Sequence, residues 1–184
     1  AIFRVTRSRG FWIRTLDGRP ASEAYARLFG YPTREWAFPP LSQLARLYPL
    51  GVERAEKELL LRSPLRVEAD GSFRLNATVA DGSDAYILAG SLTACQEAAG
   101  NAVRQARAAL GEAKPALALV LSDIAWQMLF EAQPGADIAA VRDALGGNIP
   151  ILGGYTLGQI VPLPDSRPQY LNQHMVVVLI AEPE

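Results

Sequence analysis

The sequence predicts an α+β fold, a largely antiparallel or mixed β-sheet flanked by helices. Three stretches carry that prediction. Leu65, Val67 and Ala69, then Phe73, Leu75 and Ala77, alternate with polar residues on either side of Asp70-Gly71, the pattern of a half-buried hairpin. Ser91–Leu110 places Leu92, Cys95, Ala99, Ala102 or Val103, Ala106 and Leu110 on one helical stripe. Ala116–Leu121 and Met175–Ile180 are continuous apolar runs, which predict strands buried on both faces.

The remaining elements fall between these. Ile2–Arg9 alternates, Gly10 breaks it, and Phe11–Leu16 resumes before the turn signal Asp17-Gly18. A helix is expected from about Pro20, with Ser22 as a cap if the start falls slightly later, and Gly30 and Pro32 end it. Thr33–Pro40 reads as an irregular aromatic loop carrying Trp36 and Phe38, and Leu41–Tyr48 as a short helix. Lys57–Ser63 and Ala85–Ala89 read as strands that complete an antiparallel meander with one wet face. Ser91 is a natural cap for the long helix and Gly111 a natural stop. Helices are expected over Ile124–Ala132 and Ile138–Leu145, with Asp137 capping or opening the second. Pro162–Gln169 is a proline-rich loop, and Gln173–Ala181 a final strand.

Composition narrows the function classes. The 184 residues are 49% apolar and 20% charged, which fits a folded chain. A net charge of −1 supplies no basic field for nucleic acid or an anionic membrane, so neither is expected as a partner. Only Lys57 and Lys114 of the 18 basic residues are lysines. One cysteine excludes an internal disulfide, and one histidine leaves no Cys/His zinc cluster. No apolar run reaches the roughly 20 residues of a membrane helix. The start, Ala-Ile-Phe-Arg, lacks an initiator Met and opens directly in a strand pattern, so residues 1–184 are expected to be a single domain excised from a longer, cytoplasmic protein.

The candidate site centres on Ile149–Leu163, an apolar stretch interrupted by Gly153, Gly154 and Gly158. Glycine inside a strand marks a bend, a bulge, or a close approach to the backbone. The spacing is neither a dinucleotide fingerprint nor a phosphate-binding loop. Two readings stay open: a bent core strand, or the backbone wall of a ligand pocket with Tyr155, Thr156 or Gln159 offering polar atoms. Ser122 and Asp123 end a strand before a helix, where they either cap the helix or meet a ligand. Arg62, between two strands, is either a surface arginine or a bidentate anion holder. Cys95 reads as a buried structural thiol, and His174 as a strand histidine or, at most, a haem ligand.

Taken together, the order of these pieces resembles the FIST C-terminal domain, the second half of a sensory module. The resemblance rests on Phe3-Arg4-Val5-Thr6-Arg7 and Leu16-Asp17-Gly18-Arg19-Pro20-Ala21, then Pro49-Leu50-Gly51, Leu61-Arg62-Ser63-Pro64-Leu65 and Asp70-Gly71-Ser72. Near the end it rests on Pro150 to Ile160 and on Leu171-Asn172-Gln173. It covers nearly the whole chain. Three positions depart from the family pattern: Gln159 stands where a glutamate is frequent, Leu171 where a histidine is frequent, and Ser122-Asp123 where Ser-Cys is frequent. Haem-dependent sensing, known for some members, is therefore not carried over.

The resemblance implies an intracellular input domain that binds a small ligand, amino acids among the candidates. In bacterial members the outputs resemble histidine kinases, chemotaxis transducers and cyclic-di-nucleotide enzymes. The implied partners are a FIST N-terminal half and a signalling output. The expectation is a non-catalytic sensor without a cofactor, its pocket drawn from Gly153, Gly154, Tyr155, Gln159, Ser122, Asp123 and Arg62. The rival readings are a hydrolase or transferase using Asp123, a haem-binding gas sensor, and an interaction module contacting partners through Trp36–Phe38.

Overall fold

The computed structural model describes residues 1–30, 47–55, 58–163 and 167–183. The expected loop at Thr33–Pro40, most of the expected helix at Leu41–Tyr48, Lys57, and part of the Pro162–Gln169 loop lie outside the described residues. The chain divides into two compact units, Ala1–Gly90 and Ser91–Glu184. The α+β class is as expected.

In the first unit, β1 (Ile2–Arg9) and β2 (Trp12–Leu16) form the expected antiparallel hairpin. Asp17 and Gly18 both take positive φ, 50° and 76°, and so make the tight turn that an Asp-Gly pair favours. The turn pairs β2 with the two-residue β3 (Arg19–Pro20). Helix α1 (Ala21–Phe29) follows at once, with Pro20 at the cap position and Gly30 closing the helix in the left-handed conformation. Ser22 is therefore not a cap. It lies buried inside the first turn, its backbone N–H donating to Gly71 O at 3.0 Å.

Five further strands complete this unit: β4 (Leu50–Ala55), β5 (Glu58–Arg62), β6 (Pro64–Val67), β7 (Phe73–Leu75) and β8 (Asp84–Ile87). The Asp70-Gly71 hairpin joins β6 to β7 as expected. The meander does not hold beyond it. Strand order is β5-β4-β8-β1-β2-β7-β6, so β8 sits between β4 and β1 and does not pair with β7. Alternation reveals which face a residue takes but not which strand lies beside it. β5 and β6 stand at opposite ends of this path, yet only Ser63 separates them in sequence. The sheet must therefore curl until its edges nearly meet, as in a barrel. Val5, Ile13, Leu16, Leu50, Phe73 and Ala85 fill the interior with Tyr25 of α1, whose ring meets Phe73 edge-on at 4.8 Å.

The second unit is a three-stranded sheet with helices on one face. Helix α2 (Leu92–Leu110) is capped by Ser91, whose Oγ accepts from Ala94 N at 3.1 Å, worth about 1 kcal/mol. Its expected stripe is the buried one, with Ala99 and Val103 fully enclosed. Strand β9 (Pro115–Asp123) is central, helix α3 (Ile124–Leu129) follows it, and α4 (Ala136–Leu145) packs against α2. Strand β10 (Ile151–Thr156) runs parallel to β9 on one side, and β13 (Met175–Ala181) antiparallel on the other. β11 (Gln159–Val161) and β12 (Gln169–Leu171) form a separate hairpin.

Two expectations are corrected here. The helix after β9 ends at Leu129, not Ala132, with Phe130 at its cap. The apolar runs in β9 and β13 are not buried on both faces. Ala118 and Val120 of β9, Ile151 of β10 and Val177 and Leu179 of β13 face the helices. On the other side Leu117, Leu119 and Leu121 of β9 are half-buried, and Leu152 of β10 and Val178 and Ile180 of β13 are exposed. A run of apolar residues records hydrophobicity at every position, but only tertiary packing decides whether the second face is covered.

Candidate functional site

The parallel pairing of β10 with β9 builds the site. In register, Gly153 lies opposite Val120, Gly154 opposite Leu121, and Tyr155 opposite Ser122. Strand alternation puts Val120, Ser122, Ile151, Gly153 and Tyr155 on the helix-facing side. With Ile138 of α4 and the backbone of Gly154, these residues line a cavity of about 230 Å³.

The two glycines are not equivalent. A Cβ on Gly153 would sit 1.8 Å from Val120 O and 2.7 Å from Val120 C, both backbone atoms of the neighbouring strand. Glycine here permits a close approach of β10 to β9. A Cβ on Gly154 would meet nothing within 4 Å. Gly158 has φ 137° and lies under Tyr170, whose hydroxyl donates to Leu157 O at 2.5 Å. The glycine interruption thus serves backbone geometry at 153 and 158, while the cavity wall takes in 153 and 154.

Polar side chains around the cavity are few, Ser122 and Asp137 buried and Tyr155 partly exposed. Ser122 is 2% exposed, and its Oγ has no hydrogen-bond partner among the described residues. Tyr155 donates its hydroxyl proton to Asp137 Oδ2 at 2.9 Å. Asp137 is fully buried in the first turn of α4, and its Oδ1 has no partner among the described residues. Burial, then the hydrogen bond to Asp137 and that group's charge, push the Tyr155 phenol up to about 12. A raised phenol pKa adds stability that is complete below pH 10 and is lost as pH rises through 12. Tyr155 is 39% exposed, so solvent screening keeps the energy small. We expect Tyr155→Phe to flatten the fall of stability between pH 10 and 12, read from urea midpoints across that range. A wild-type slope retained in the variant would remove Tyr155 as its source.

The other anticipated residues divide into three groups. Asp123 belongs to β9 and also caps α3, its Oδ1 accepting from Ala125 N at 2.8 Å, so the capping reading describes it. Gln159 is buried behind Thr156, donating to Thr156 Oγ1 at 2.8 Å, while Thr156 Oγ1 reaches Ser122 O at 3.3 Å. Arg62 belongs to the first unit. It is 7% exposed, not a surface arginine, and donates to Leu61 O at 2.9 Å and Thr78 O at 3.4 Å. The cavity is built by the second unit alone. His174 holds Nδ1 2.7 Å from Asn172 O, and Cys95 is half-buried, its thiol pKa raised by burial. Asp137 was legible in sequence only as a helix opener. Nothing in the sequence ties it to Tyr155, 18 residues away.

The architecture is an α+β chain, a barrel-like sheet followed by a helix-backed sheet with a small cavity. The FIST C domain family model matches residues 21–162, from the first residue of α1 to one residue beyond β11, and so takes in parts of both units. The chain belongs to the FIST C domain family. No curated protein and no solved structure matches it. Among the described residues no helix is long and apolar enough to cross a membrane.

Proposed function

We propose that this chain is the ligand-binding input domain of a cytoplasmic bacterial signalling protein, and that its ligand is a small metabolite, amino acids among the candidates. The observation that carries the proposal is the cavity between β9, β10 and α4, whose lining includes Ser122, a residue with a buried Oγ that has no partner among the described residues. Buried polar atoms are ordinarily hydrogen-bonded, so an orphan in a cavity wall favours an occupant that supplies the partner. Binding acts by population shift: a ligand that fits one arrangement of β10 and α4 better than another moves the equilibrium by its difference in affinity. An N-terminal FIST half and a signalling output read that equilibrium. The exposed apolar residues Leu152, Val178 and Ile180, on the reverse side of the same sheet, support docking of such a partner.

A thermal-shift screen against amino acids and small metabolites tests the reading. A ligand at one hundred times its Kd should add about 2.7 kcal/mol. Amide shifts confined to residues other than Ser122, Gly153, Gly154 and Tyr155 would sink this pocket. The enzyme reading rests on Asp123, whose carboxylate is engaged as a helix cap. Turnover abolished by Asp123→Ala in a folded protein would restore it. A Soret shift on haem addition would restore the haem reading.

A further inference from the structure

The polar groups of the β9–β10 cavity select the sign of the ligand's head group. Tyr155 commits its only proton to Asp137, so its oxygen faces any occupant as an acceptor. Ser122 Oγ, 2% exposed and without a partner among the described residues, can accept as well. The remaining side chains in the wall, Val120, Ile138 and Ile151, are apolar. Among the described residues no Arg, Lys or His lines the cavity, whereas a fully buried carboxyl group, Asp137, accepts the Tyr155 hydroxyl proton. An anion entering here would lose its hydration and meet lone pairs backed by negative charge. A cation would meet acceptors and no competing positive charge from the lining residues. A space of about 230 Å³ equals roughly seven or eight waters, so the part of the occupant that enters it is small.

Resting on the reading of this cavity as the ligand site, we infer that it takes a small primary ammonium with a short aliphatic body, the ammonium directed at Tyr155 Oη and Ser122 Oγ. A carboxylate on the same ligand has no counter-charge in the wall and must point outward or be absent.

The test is an NMR titration of the whole 184-residue chain with three probes of one shape: butylammonium, butanol and butyrate. The methyls of Val120, Ile138 and Ile151 report on the cavity. The expected result is butylammonium at least tenfold tighter than butanol, with butyrate weakest. Asp137→Asn, which keeps the shape and removes the charge, should bring butylammonium and butanol within about twofold. Ser122→Ala should weaken butylammonium and butanol while the fold persists. If Asp137→Asn fails to fold, the order of the three probes on the unaltered chain still decides. Butanol or butyrate binding as tightly as butylammonium, with the cavity methyls shifting, overturns the ammonium assignment and leaves the cavity as the site. Unmoved methyls with all three probes overturn both.

Discussion

Gly153→Ala should destabilise the second unit by about 3 kcal/mol or more, while Gly154→Ala should leave it unchanged or stabilise it by about 0.4–1 kcal/mol. The two substitutions add the same methyl group to adjacent residues of one strand. At 153 the methyl would overlap Val120 O at 1.8 Å and crowd Val120 N at 3.0 Å. These are main-chain atoms of the central strand β9, so no rotamer change relieves the overlap. The strands must separate, which weakens the parallel ladder from Ile151 to Thr156. At 154 the methyl enters open space, and φ is outside the left-handed region. Alanine then mainly restricts the unfolded chain. Urea unfolding and hydrogen exchange along β9 would measure both. Equal stability of the two variants would show that β10 does not press against β9 at Gly153, and the account of the glycine interruption would fail.

Trp126→Ala should cost about 3–5 kcal/mol, and Trp126→Phe markedly less. The indole is 3% exposed, packs against Phe130 with ring centroids 6.3 Å apart, and belongs to the core beneath α2 and α4. Its Nε1 donates to Gln173 O at 2.9 Å. Gln173 holds a positive φ of 56°, an uncommon conformation for a non-glycine residue, at the corner between β12 and β13. The same corner delivers His174 O to the backbone N–H of Asp123 at 2.9 Å. Phenylalanine keeps most of the packing and loses the hydrogen bond, a change of about 1 kcal/mol. Alanine also leaves a large void. The alanine and phenylalanine variants therefore separate packing from corner-holding in a chemical denaturation series. Identical losses would mean that the hydrogen bond, not the ring, carries the contribution.

Much of this architecture can be read locally. Asp17-Gly18 and Asp70-Gly71 mark their turns because the residues that need positive φ are the ones present. Ser91 and Gly111 bracket α2 because a hydroxyl can satisfy an orphan N–H and glycine can leave the helix. β4 escaped the reading because Leu50 and Val52 are its only two alternating apolar residues before Arg54-Ala55 inverts the pattern, and its pairing with β5 and β8 is what makes it a strand. The candidate site was legible in part. Gly153, Gly154, Tyr155 and Ser122 were anticipated, and register places them around one cavity. Asp137 was not, because its partner lies on another element.

The amino-acid sequence by itself determined the α+β class, the hairpin turns, the caps of the long helix and the stretch where glycine interrupts a strand. Each of these depends on residues within a few positions of one another. Only the tertiary structure decided the strand order, which face of β9 and β13 is covered, why Gly153 and Gly154 differ, and that Tyr155 leans on a buried Asp137. Those are relations between distant segments. Burial and hydrogen bonding at each position depend on what another segment brings, and no local pattern carries that information.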